Sequence, residues 1–146
     1  MLFRSAPGLI SALSTSTIHL PLAHDPSQQV ALHCAAPAHA NGQAMLFAHG
    51  ASFPTMLAFG FEFAPGDSWM DFMAKQGFLA CGLDFTGYGG SSRPTAMTHA
   101  AGDAAPTTRA PEAAREIAVA IDYLCKMRGM GRVRREIGRA SCRERV

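Results

Sequence analysis

The apolar positions follow two rhythms, short unbroken runs and a spacing of three to four, and the alternation between them predicts the elements. Residues 17–22 and 28–34 read as two strands around His24-Asp25-Pro26-Ser27. That insert is turn chemistry, because Asp bonds back to its own backbone and Pro presets φ; the pair predicts an antiparallel hairpin. A second turn signal, ending in Asn41-Gly42, precedes residues 44–48, apolar without alternation, as in a strand buried on both faces. Asp67-Ser68 opens a helix in which Ser68 caps the third amide, Asp71 returns the bond, and Trp69, Phe72 and Met73 share the core face. Gly77 closes it, and residues 78–83 form another continuous apolar strand ending at Asp84. After a loop rich in small residues, Pro111 suits the first turn of a second helix. Its predicted stripe is Ala114, Ile117, Ala118, Ile121, Leu124 and Cys125, with Glu112, Arg115, Glu116 and Asp122 off it and Gly129 as the stop. Strand, helix, strand, helix with doubly buried strands predicts an α/β fold, a hairpin leading into a mostly parallel sheet with flanking helices.

Composition narrows this. With 146 residues and 48% hydrophobic content, the chain fits one domain and is too apolar for disorder. The uncharged stretch of residues 35–61 is interrupted by Pro37, His39, Asn41, His49 and Pro54, so no membrane span is expected. Cys34, Cys81, Cys125 and Cys142 include no C-x-x-C pair. They are read as reduced thiols packed as small hydrophobes, which places the protein in the cytoplasm. Residues 1–16 read as a poorly ordered leader, since Pro7-Gly8 breaks the apolar run that a secretory signal needs.

Two loops at strand C-terminal ends carry the chemistry, at the edge where open α/β sheets bind ligands. The first is His49-Gly50-Ala51-Ser52-Phe53-Pro54 and the second runs from Asp84 to Pro94. Gly50 allows a sharp turn that leaves the following amides unobstructed, as a backbone oxyanion hole requires. The strand ending in His49-Gly50, the segment from Trp69 to Gly77-Phe78, and Asp84-x-x-Gly87-Tyr88-Gly89-x-Ser91 with Pro94 together resemble the α/β-hydrolase family. The resemblance spans residues 17–135. It implies that the amide after the His-Gly pair helps hold a tetrahedral oxyanion, so Ala51 is the first candidate donor and Ser52 the second. It implies loop-supporting roles for His49 and Gly50, and serine-type acyl transfer from an ester to water, with no cofactor and a small-molecule substrate. Asp84 is then a loop-bracing acceptor, because the family's triad acid follows the nucleophile. Gly87, Gly89 and Gly90 read as turn glycines, since their spacing matches neither phosphate-binding fingerprint. The histidines at 19, 24, 33, 39 and 99 show no metal-ligand spacing, and no metal site is expected.

No G-x-S-x-G elbow occurs, and the family places it after the second helix. Arg132-Val133 would approach that strand, putting the elbow within roughly 15 residues beyond it by ordinary connection lengths. Nucleophile, acid and base are therefore expected outside this chain, which alone should be inactive and poorly soluble, with sheet edges and helix faces uncovered. A dehalogenase, epoxide hydrolase or haloperoxidase on the same scaffold is the alternative, decided by the residue at the elbow; a non-catalytic binding protein on that fold is the second. The charge is lopsided: residues 1–131 hold 7 Lys/Arg and 9 Asp/Glu, whereas residues 132–146 hold six Arg and two Glu. A nucleic-acid arm would interleave aromatics with those arginines, and none is there. Residues 136–146 instead resemble the in-frame translation of a common sequencing adapter, matched at every residue from Ile137 on. They are set aside as a non-native tail, leaving residues 17–135 as a partial domain.

Overall fold

A two-residue turn joins the first two strands. In the computed structural model, which describes residues 15–100, 102–127 and 132–136, β1 (Thr15–Leu22) and β2 (Asp25–Ala35) pair antiparallel. The turn is tighter than expected, at Ala23-His24, because Asp25 already belongs to the strand. Its carboxylate still accepts from the Ser27 hydroxyl (2.6 Å), the Gln28 side-chain amide (2.7 Å) and the Ser27 N–H (3.1 Å). The Ser27 and Gln28 side chains hold the Asp25 carboxyl below its ordinary value. Of the expected leader, residues 1–14 lie outside the described residues, and Thr15 and Ser16 open β1.

Among the described residues the sheet has five strands in the order β1-β2-β4-β3-β5, with β3 at Gln43–Ala48, β4 at Leu79–Asp84 and β5 at Arg132–Glu136. β3 is parallel to both β4 and β5, whereas the β2–β4 seam is antiparallel, so the hairpin is built into the sheet. β3 and β4 are buried on both faces, as their unbroken apolar runs predict. Ala44, Leu46 and Ala48 belong to one core with Leu32, Leu83 and the helix α3 (Ala110–Met127); Met45 and Phe47 join the other with Met70 and Ala74 of the helix α2 (Trp69–Lys75). A four-residue helix, α1 (Thr55–Ala58), and a 3-10 turn at Thr95–Thr98 had no sequence signal.

The capping box of α2 forms as expected. The Asp71 N–H donates to Ser68 Oγ (3.0 Å), and the Ser68 N–H donates to the Asp71 carboxylate (3.2 Å). Its buried face is not the expected one. Trp69 and Phe72 are 68% and 59% exposed, while Met70 and Ala74 pack on Phe47 and Ala80. The helix carries apolar residues on two faces, and the capping box, by turning Asp71 inward beside Met70, decides which one faces the sheet.

The face of α3 is rotated likewise. Ala120 and Leu124 are buried and Ile117 partly so, but Ala114, Ala118 and Cys125 are exposed. Glu116, placed off the stripe by its charge, is 2% exposed. It accepts from the Thr86 N–H (2.9 Å) and the Thr86 hydroxyl (2.6 Å), which is what a buried carboxylate needs. Gly129 and Cys142 lie outside the described residues.

The cysteines overturn a second expectation. Cys34 and Cys81 stand directly opposite across the β2–β4 seam and form a disulfide joining residues 47 apart, so they are not separate packed thiols. Cys125 is free and exposed. Among the described residues, no helix is long and apolar enough to cross a membrane.

Candidate functional site

The loop after β3 holds all four residues singled out in sequence, His49, Gly50, Ala51 and Ser52. It leaves the sheet at the C-terminal end of β3, beside the C-terminal end of parallel β4. His49 is buried, with its ring edge-on to Phe85 (4.9 Å between centroids) and Tyr88 (4.8 Å). Its Nε2 accepts from the Phe85 N–H (3.1 Å), which leaves the proton on Nδ1 to donate to the Gly50 carbonyl (2.6 Å). The imidazole thus ties the end of β4 to the first turn of the loop.

Those contacts aim two amides. A trans peptide points its C=O and N–H to opposite sides, and no cis peptide occurs among the described residues. The Gly50 carbonyl turns back to His49, so the Ala51 N–H of the same peptide faces away from the imidazole. Likewise, the Tyr88 hydroxyl donates to the Ala51 carbonyl (2.8 Å), so the Ser52 N–H faces away from Tyr88. Ala51 and Ser52 are exposed, and neither N–H has a protein acceptor among the described residues. Beside them lies a cavity of about 210 Å³ lined by residues including His49, Gly50, Ala51, Phe85 and Tyr88. A larger one, about 310 Å³, sits at the start of α2 against Trp69 and Phe72 and touches none of the four.

Asp84 closes the arrangement from below. It is 1% exposed, and its carboxylate accepts from the Thr55 N–H (2.7 Å), the Gly90 N–H (2.9 Å) and His33 Nε2 (2.9 Å). Burial alone would raise this carboxyl, but the bonds from His33, Gly90 and Thr55 outweigh it and hold the pKa at about 2. Asp84 therefore fixes both the far end of the loop after β3 and the Gly87–Ser92 turn. Gly89 has φ +44°, and a Cβ there would overlap the Asp84 carboxylate. The same turn is latched to β2, since Ser91 Oγ accepts from the Ala31 N–H (2.8 Å) and the Ser92 N–H donates to the Gln29 carbonyl (3.0 Å).

Sequence reasoning missed His33, Tyr88 and Glu116 as parts of this framework. His33 gives no local signal, because its link to Asp84 depends on the register of a strand 51 residues away. Among the described residues, no group of three His, Cys, Asp or Glu side chains could hold a metal ion.

No family model matches the chain, and no curated protein does. Solved structures do share its fold. The hypothetical protein PA2218 of Pseudomonas aeruginosa aligns at a TM-score of 0.58 and 13% identity, covering 87% of this chain and 35% of that one. The esterase Pf2001 of Pyrococcus furiosus aligns at 0.57 and 11%, covering 86% and 41%. A probable hydrolytic enzyme, PA3053 of Pseudomonas aeruginosa PAO1, aligns at 0.50 and 19%, covering 86% and 33%. The chain has a mixed α/β fold like that of these hydrolases, and it spans well under half the length of these structures.

Proposed function

We propose that this chain supplies the oxyanion-binding side of an acyl-transfer site in an α/β-fold hydrolase acting on esters or related bonds. The observation that supports it most is the pair of N–H groups at Ala51 and Ser52, without a protein acceptor among the described residues and each aimed by a hydrogen bond on the opposite side of its own peptide. A serine contributed by polypeptide outside this chain attacks the carbonyl carbon, and a histidine takes its proton. Charge then gathers on the carbonyl oxygen, where the Ala51 N–H receives it, with Ser52 as the second donor. Because these donors are fixed before substrate arrives, little reorganisation is needed as the charge develops. His49 keeps Nδ1 committed to Gly50, which suits support of the loop rather than proton transfer. At this site the chain by itself has no turnover.

The test joins this chain to its genomic continuation past Arg135 and measures p-nitrophenyl ester hydrolysis. A G-x-S-x-G serine labelled by a fluorophosphonate is expected. Ala51→Pro, which removes the N–H, should lower kcat by about 10²–10³ at nearly unchanged KM and thermal stability. An elbow without Ser, or full kcat in a folded Ala51→Pro protein, would overturn the reading.

A further inference from the structure

A hydroxyl–imidazole–carboxylate chain runs from the β1–β2 hairpin to Asp84 at the end of β4. Thr17 and His33 are directly opposite one another in the antiparallel pairing, and Thr17 Oγ1 lies 3.0 Å from His33 Nδ1. The other ring nitrogen, Nε2, lies 2.9 Å from Asp84 Oδ2. Thr17 is exposed, whereas the His33 side chain is 13% exposed and that of Asp84 2%.

The protons in this chain follow from Asp84. Its carboxylate is ionised and already accepts two backbone N–H groups, so it can only accept from the imidazole as well. In the neutral ring the hydrogen must then sit on Nε2, which leaves the Nδ1 lone pair directed at the Thr17 hydroxyl. A nucleophile within reach of a base, with that base oriented by a third group, is the signature of an activated hydroxyl. Gly90 lies beside the ring: a Cβ there would make ordinary contact with His33 Cε1, at 3.7 Å, and press on Ala31 Cβ, at 3.1 Å.

We infer that Thr17, His33 and Asp84 form an acyl-accepting site, in which the Thr17 hydroxyl attacks carboxylic esters carrying good leaving groups. In that step Thr17 Oγ1 bonds to the acyl carbon, and the ester bond to the leaving group breaks. The Thr17 proton passes to His33 Nδ1 and from there to the leaving oxygen or to water, and with p-nitrophenyl acetate the leaving group departs as nitrophenolate, with no change of oxidation state. Thr17 and His33 touch the reacting atoms; Asp84 is a positioning residue that fixes the tautomer.

The experiment treats the full chain with p-nitrophenyl acetate, follows nitrophenolate release, and locates the acetyl group by fragmentation mass spectrometry. One acetyl per chain on Thr17 is expected, released with a matching nitrophenolate burst. Thr17→Val should abolish the burst while far-UV circular dichroism stays unchanged, and Thr17→Ser should restore it. His33→Gln, which can still hydrogen-bond Asp84, should slow Thr17 labelling by roughly 10²-fold, within the range of general-base assistance. Acetyl found only on Lys75, Lys126 or Cys125, or Thr17 labelling at an undiminished rate in His33→Gln, would overturn the assignment. A negative result at Thr17 leaves the Ala51 reading intact, because that reading calls for a different nucleophile.

Discussion

Replacing Asp84 by Asn removes one acceptor from a buried group that serves three donors. The carboxylate holds the Thr55 N–H on Oδ1 and both the Gly90 N–H and His33 on Oδ2. An amide is nearly isosteric but has a single acceptor oxygen, so its NH₂ must face a donor. The less costly orientation keeps the oxygen toward Gly90 and His33 and strands the Thr55 N–H. A hydrogen bond to a charged group is worth about 1.5–3 kcal/mol, and an orphaned buried donor costs about 1–3 kcal/mol. We therefore expect Asp84→Asn to lose about 3–5 kcal/mol, a large part of the ~5–15 kcal/mol typical of a domain. Urea unfolding followed by far-UV circular dichroism, read as a midpoint shift at unchanged slope, gives this number. The acid limb offers an independent check. The folded pKa of about 2 lies below the ordinary carboxylate value near 3.9, so Asp84 stabilises the fold at pH above about 4. That contribution, about 2–3 kcal/mol, is lost as pH falls from about 4 through about 2, and the Asn protein should lack this component. A loss under 1 kcal/mol at pH 7, or a gap between the two proteins that does not shrink on acidification, would refute the argument.

Three further outcomes are expected. Glu116→Ala leaves the Thr86 N–H and hydroxyl unpaired in a buried site, and should cost about 2–4 kcal/mol in the same urea assay. Gly89→Ala combines a left-handed φ with overlap on the Asp84 carboxylate; it should cost about 2 kcal/mol or more and weaken the acid-linked transition. A non-reducing peptide map should recover the Cys34 and Cys81 peptides cross-linked, and reduction should lower stability by about 4 kcal/mol, by loop-closure entropy for residues 47 apart.

What could be read from the sequence was whatever is encoded locally. The Ser68/Asp71 capping box, the tight turn at Asn41-Gly42 and the doubly buried run of β3 depend on residues within a few positions of one another, and each formed as expected. Register across the sheet is not local. Nothing near Cys34 announces Cys81, and nothing near His33 announces Asp84, because both pairings arise only when β4 docks beside β2. Glu116 failed for a different reason. Its charge argues for solvent, and only the bare amide of Thr86, 30 residues away, explains its burial. In the candidate site the loop was legible from His49-Gly50, but the Tyr88 bond that aims the second amide was not.

The strand order carries a consequence for how the fold is reached. β4 sits between β2 and β3 although it comes after both in the chain. As the polypeptide emerges, the hairpin and β3 have no strand between them, and they must wait for residues 79–84 with their pairing edges open. Direct pairing of β2 with β3 during that interval would be a trap that β4 has to undo. The Cys34–Cys81 bond ties β2 to β4 rather than to β3, so once made it favours the native neighbour over that trap.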